Sequence, residues 1–164
     1  MKKRVLDFII IGAQKAGTTS LFKYISTHPD VYMPTEKEIP FFTDAEKVAR
    51  GWDWYIGYFF GKAPADTLWG TATPHYMVYP GVAEAMNSIL PDVKLIALIR
   101  DPIERAFSHY RMSLKRRYES RSFQQVIDEL LKPAALEESR RRPSPTNAYI
   151  TNGEYGRILT PYYE

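Results

Sequence analysis

The chain contains no cysteine, which removes disulfides, thiolate metal sites and a thiol nucleophile from consideration. Histidine is scarce as well. His28, His75 and His109 stand far apart and make none of the short spacings that ligate a metal ion. No apolar run approaches membrane-spanning length. The stretch behind the basic Met1-Lys2-Lys3-Arg4 is short, contains Asp7, and runs into a glycine loop instead of a cleavage site. These absences predict a soluble, cytoplasmic chain with no membrane partner. Low-complexity tracts and internal repeats are missing too, and at 164 residues with 45% hydrophobic content the chain is expected to form one domain with a real core. The net charge of +3 is modest, and the basic residues gather at 111–121 and 140–142. Such clusters read as solvated surface, or as a lure for an anionic acceptor, and not as a nucleic-acid face.

What is present centres on residues 8–21, Phe-Ile-Ile-Ile-Gly12-Ala-Gln-Lys15-Ala-Gly17-Thr18-Thr19-Ser20-Leu. Residues 5–11 form a short, β-branched apolar run of the kind a parallel strand covered on both faces requires. Gly12 breaks it. Leu21, Phe22 and Ile25 recur at helical spacing, so a helix is predicted to begin near Thr18, with its free amides and positive dipole end facing the loop. An anionic oxygen group is the natural occupant. The spacing from Gly12 to Gly17 matches the nucleotide triphosphatase P-loop, but that motif continues Gly-Lys-Ser/Thr. Here Thr18 follows Gly17, and the loop's lysine, Lys15, lies inside it. A tight strand-to-helix turn with no ligand remains the alternative for the glycines alone.

Further along, residues 30–34 read as an edge strand or connector, and residues 67–72 as a strand ending in Thr73-Pro74-His75-Tyr76. In open α/β sheets the loops after the carboxyl ends of strands line the site, which makes residues 71–76 candidate acceptor contacts. Between these strands, Glu36-Lys37-Glu38 precedes Ile39-Pro40-Phe41-Phe42. A carboxylate at the rim of an apolar patch is biased toward basicity by desolvation, which suits a general base; a solvated turn ahead of a core aromatic pair is the other reading. Residues 45–60, with Trp52, Trp54, Tyr55, Tyr58, Phe59 and Phe60, are expected to form one aromatic-faced helix. A helix follows at 82–90. Residues 93–99 are expected to form a second strongly buried strand leading into Arg100-Asp101-Pro102. Asp101 is the expected N-cap and Pro102 the first-turn residue of a helix running to Leu114, which places Ser108 about two turns in, able to face the same way as Arg100. Arg100 is well formed for a phosphate, or else pairs with Asp101 or Glu104. A helix is predicted at 123–131, an exposed or mobile loop at 137–145, and a helical pattern from 149 to the end.

Two separated segments together resemble the sulfotransferases that use 3′-phosphoadenosine 5′-phosphosulfate (PAPS). The stretch Gly12 to Leu21 is similar to their 5′-phosphosulfate loop. Leu98-Ile-Arg100-Asp-Pro-Ile-Glu-Arg-Ala-Phe-Ser108-His-Tyr110 is similar to their 3′-phosphate motif, in which an Arg and a Ser eight residues on hold that phosphate. Glu36 to Phe42 resembles the acidic-aromatic segment of the heparan-sulfate-type branch, which by position makes Glu38 the catalytic base, and Asn152-Gly153-Glu154-Tyr155 resembles the turn that starts a late helix there. The resemblance implies an α/β, P-loop-like three-layer sandwich with a central parallel sheet flanked by helices. It implies PAPS as donor and a small-molecule or glycan acceptor. Lys15, Ala16, Gly17, Thr18, Thr19, Ser20, Arg100 and Ser108 would hold the donor, with Lys15 and Glu38 at the chemistry and no metal required. Two departures stand out. The glycosaminoglycan-directed branch carries a lysine where this chain reads Thr71-Ala72-Thr73, and the family continues beyond residue 164 with further strands and a basic loop, so a single domain incomplete at its C-terminal end is expected. A P-loop kinase and a non-catalytic nucleotide-binding module are the rival readings.

Overall fold

The apolar run after Asp7 becomes β1 (Phe8–Gly12), buried at every position, in a computed structural model that describes residues 5–163. The basic Met1-Lys2-Lys3-Arg4 segment lies outside the described residues. β1 is the third strand of a four-stranded parallel sheet. On one side it pairs with β3 (Leu68–Ala72), which in turn pairs with β2 (Val31–Tyr32) at the edge; on its other side lies β4 (Lys94–Ala97). Phe8 stands opposite Gly70, and the glycine is needed there because a Cβ would lie 2.1 Å from the Phe8 ring.

Alternate residues of β1 enter different cores, as the pleat requires. Ile9 and Ile11 pack with Phe41, Tyr55, Trp69 and Met86. Phe8 and Ile10 pack on the opposite face, against Leu21, Phe22 and Ile25 of α1 (Thr18–Ile25). Helices therefore cover both faces of the sheet, and the expected α/β three-layer architecture is the observed one. A third, smaller core joins α5 (Pro102–Lys115), α6 (Phe123–Leu130) and Tyr149 through Ala106, Tyr110, Val126 and Leu130.

Three sequence expectations need correction. Residues 45–60 form two helices, α2 (Ala45–Arg50) and α3 (Trp52–Phe60). Gly51 between them has φ of 84°, a left-handed conformation that stops one helix while the Asp44 side chain caps the start of α2 through the amides of Glu46 and Lys47. β4 is not strongly buried. It forms the sheet's edge, so Leu95 keeps 37% of its surface exposed, and Ile99 beyond it 64%. Residues 137–141 are not loop but the second half of α7 (Pro133–Arg141), entered through Pro133 in its first turn and tied by Arg140 to Glu137 and to Glu154. The remaining helices, α4 (Val82–Ile89) and α8 (Tyr155–Leu159), lie near their expected places.

Candidate active site

The loop between β1 and α1 sits where three strands end. The Thr73 amide donates to Ile10 O, the Leu98 amide to Gly12 O, and the Ala13 amide to Leu98 O, which holds the loop between the ends of β3 and β4. Gly17 caps α1 with φ of 99°, available to glycine without strain. The Ser20 and Leu21 amides both donate back to Gly17 O, so the amides of Thr18 and Thr19, ahead of them, open onto the loop. Thr18 is buried, Lys15 and Ala16 are half-buried, and Thr19 and Ser20 are exposed.

Arg100 joins this loop from the far end of β4. Its Nη1 lies 3.4 Å from Lys15 O, and its Nε and Nη2 donate to Glu104 at 3.1 and 3.0 Å. The pairing with Glu104 is therefore the observed one, and the same guanidinium also reaches the glycine loop. Asp101 caps α5 as expected, accepting from Ile103 and Glu104 at 3.0 and 2.9 Å. Ser108 is half-buried midway along α5, with its hydroxyl not engaged by any described residue.

Electrostatics tie the cations together. Burial, then the guanidinium groups of Arg116 and Arg100, push the Lys15 ammonium below its ordinary range. Among the described residues neither Lys15 nor Arg116 has an ion-pair partner, so positive charge is concentrated at a place with too few carboxylates to balance it. An anion there relieves the mutual repulsion. Two residues in this region were not picked out from the sequence. Arg116, which follows α5, looked like part of a solvated basic cluster. Tyr155 fixes the Arg100 backbone, donating to Arg100 O at 2.9 Å while the Arg100 amide lies 3.4 Å from its hydroxyl. The Asn-Gly-x-Tyr turn was the available signal.

Glu38 belongs to a second cluster, across the end of β3. Its amide donates to Ala72 O, and the following segment is clamped to the core. Ile39 O accepts from the Tyr55 hydroxyl at 3.2 Å and from Thr73 at 3.4 Å, while the Tyr76 hydroxyl accepts from the Phe41 amide at 2.5 Å. The Glu38 carboxylate is not desolvated by the aromatic pair. It stays 48% exposed and pairs with Lys37 Nζ at 2.6 Å, because Phe41 turns into the core and leaves the carboxylate at the surface. Both Lys15 and Glu38 have left-handed backbones, with φ of 71° and 63°. For non-glycine residues that conformation carries a cost, and it aims each side chain where an ordinary turn would not.

His75 completes this half. Its Nε2 lies 2.9 Å from Thr43 Oγ1, and its ring meets those of Tyr76 and Tyr79 edge-on. Burial pushes the imidazole below its ordinary range, the Glu38 carboxylate draws it back up, and Lys37 pushes it down. Among the described residues no group of three or more His, Asp or Glu is placed to hold a metal ion, and no helix is long and apolar enough to cross a membrane.

The chain is similar to several known proteins. A family model described as a sulfotransferase domain matches residues 6–144. The membrane-associated sulfotransferase kil1 of Dictyostelium discoideum is 38% identical over 111 residues, which is 66% of this chain and 23% of that protein. The heparan sulfate glucosamine 3-O-sulfotransferase 3B1 of Mus musculus is 31% identical over 124 residues, 76% of this chain and 31% of the relative. The chain therefore spans less than a third of the length of either curated relative. Among solved structures, a sulfotransferase from Alicyclobacillus acidocaldarius superposes with a TM-score of 0.79 at 31% identity, covering 98% of this chain and 68% of that one.

Proposed function

The chain belongs to the sulfotransferase domain family, and from that premise we propose that it transfers a sulfuryl group from PAPS to a hydroxyl or amine acceptor. One observation carries the reading most: Arg100 reaches the Lys15 carbonyl, so two anion-binding segments 85 residues apart form one site. A triphosphate on a P-loop does not need that second pole, and Thr18 stands where such a loop carries its lysine. The nucleotide-kinase alternative is not favoured.

The residues present fit the donor. The open amides of Thr18 and Thr19, the Lys15 ammonium and the α1 dipole suit the 5′-phosphate; Arg100 and Ser108 suit the 3′-phosphate. Ala16, Gly17 and Ser20 complete the loop around the first of these. Bound PAPS supplies the electrophilic sulfur. Glu38 accepts the acceptor's proton as the new O–S or N–S bond forms, and the electron pair of the breaking S–O bond leaves with 3′-phosphoadenosine 5′-phosphate. Lys15 and the loop amides steady the charge that grows on this leaving group, the contribution preorganised dipoles make best. Tyr155 holds Arg100 in register. A small molecule or a glycan is the acceptor class and a cytoplasmic location is part of the same reading, which fractionation of producing cells checks.

The test is sulfation of a mixed panel of alcohols, phenols and amines by the wild-type chain and by Glu38→Gln. The variant is expected to bind 3′-phosphoadenosine 5′-phosphate as the wild type does and to lose about two to four orders of magnitude in turnover. Undiminished turnover by the variant rejects Glu38 as the base.

A further inference from the structure

Glu104 stands among the cations at the glycine loop. Its Oε2 takes both the Nε and the Nη2 of Arg100, at 3.1 and 3.0 Å, while Nη1 lies 3.4 Å from Lys15 O, so every nitrogen of the guanidinium is engaged. Among the described residues Glu104 is the one carboxylate that pairs with any of Lys15, Arg100 and Arg116. An anion that comes to Arg100 meets a guanidinium whose Nε and Nη2 edge is already taken.

Such a pair either braces Arg100 or competes for it, and the surroundings favour competition. Arg100 has other supports: its amide and its carbonyl both meet the Tyr155 hydroxyl, and its guanidinium rests on the glycine loop. Nor does α5 need the Glu104 side chain in order to start, since Asp101 caps it through the amides of Ile103 and Glu104. Glu104 keeps 63% of its side chain exposed and Arg100 40%. The carboxylate therefore has solvent to swing into, and solvent screening keeps the pair weak.

A phosphate is the better partner for that edge. One carboxylate oxygen now receives two donors, whereas a phosphate presents a separate oxygen to each, with more charge, in the bidentate arrangement a guanidinium favours. Once the phosphate is in place, a carboxylate in the first turn of α5 is a like-charged neighbour to it. Binding is then an exchange of anions on Arg100, and the fraction of molecules in which Arg100 is free sets how far the apparent affinity falls below the intrinsic one.

We propose that Glu104 is an internal competitor for the 3′-phosphate: it occupies Arg100 in the empty site, gives way when the nucleotide binds, and reclaims Arg100 as 3′-phosphoadenosine 5′-phosphate leaves. It thereby lowers affinity for the nucleotide and speeds its release. The inference rests on the reading of Arg100 as the 3′-phosphate contact.

The test is calorimetry of the wild type and of Glu104→Gln with 3′-phosphoadenosine 5′-phosphate and with adenosine 5′-phosphate, which lacks the 3′ group. The variant keeps the size of the side chain and loses its charge. It is expected to bind the bisphosphate about three- to tenfold tighter, with a correspondingly slower release in stopped-flow displacement, and to bind adenosine 5′-phosphate within about twofold of the wild type. In an Arg100→Ala background the same substitution should change bisphosphate binding by less than about twofold, since no guanidinium is left to free. Unchanged or weaker bisphosphate binding by Glu104→Gln overturns the proposal, the weaker case making the pair a brace; equal tightening toward both nucleotides overturns it as well, because that marks a general effect of charge. A wild type that binds adenosine 5′-phosphate as tightly as the bisphosphate removes Arg100 as a 3′-phosphate contact, and the proposal falls with that reading.

Discussion

Arg116 shows how a residue's role can hide in composition. In sequence it is one of several basic residues in a row, and such rows are usually solvated; the fold brings it within electrostatic reach of Lys15 and of the buried His109. Arg116→Ala is expected to weaken binding of 3′-phosphoadenosine 5′-phosphate about three- to tenfold, as loss of one cation from a partly exposed anion site does. Calorimetry of the variant checks this, and an unchanged dissociation constant removes Arg116 from the site. His109 makes a separate prediction. It is 2% exposed, its Nδ1 has no hydrogen-bond partner among the described residues, and burial with the nearby Arg105, Lys15 and Arg116 charges holds its imidazole down to about 3. Below the ordinary value of 6.5 the unfolded chain takes up a proton that the folded chain refuses until about pH 3, so stability is lost as pH falls through that window. The loss is on the order of a few kcal/mol. His109→Gln should flatten the acid limb of a denaturation series once the two proteins are matched at pH 7; parallel limbs would count against the assignment. Lys15, Gly17, Arg100 and Glu38 stand out as candidates in the sequence because each sits in a spaced motif. Tyr155 was visible only as part of the Asn-Gly-x-Tyr turn, and Arg116 comes near Lys15 through tertiary proximity, which spacing does not encode.

Among the elements, the order β1, glycine loop, α1 was legible and α1 begins at Thr18 as expected, since a β-branched run, a glycine and a helical period agree with one another there, although β1 starts at Phe8 and not at residue 5. The misread elements share a cause. Gly51 breaks a stretch whose aromatic content suggested one helix, and α7 draws part of its support from Arg140 pairing with Glu154, a partner outside the segment itself. The burial of β4 was misjudged because apolar composition says how well a strand fits a sheet, not whether another strand lies beyond it. One close approach between elements is open to a direct test. Gly70 on β3 faces the Phe8 ring on β1 so tightly that an alanine methyl would lie 2.1 to 2.5 Å from three ring carbons. Gly70→Ala is expected to cost about 1–3 kcal/mol, read as a fall in the denaturation midpoint. Pairing it with Phe8→Leu should cost less than the sum of the two single changes, because the contact is shared. Strict additivity would show that the clash is relieved elsewhere.

At the scale of the whole molecule, the parallel sheet turns sequence distance into a site. Strand ends far apart along the chain meet at one end of the sheet, so the glycine loop, the Glu38 segment and Arg100 are brought to that end although Lys15 and Arg100 are 85 residues apart along the sequence. Charge is then divided across that end, with Lys15, Arg100 and Arg116 gathered at the glycine loop and Lys37 and Lys47 paired with carboxylates near Glu38, within a chain whose net charge of +3 reveals nothing of the division. The central claim is that this end is shaped for a nucleotide carrying separate 3′ and 5′ phosphates. Titration calorimetry of the chain with 3′-phosphoadenosine 5′-phosphate and, in parallel, with ATP and Mg²⁺ tests it directly. The account predicts at least about tenfold tighter binding of the bisphosphate, with most of that preference lost in Arg100→Ala and affinity for both nucleotides reduced in Lys15→Ala. Equal or tighter binding of ATP with Mg²⁺ would contradict it.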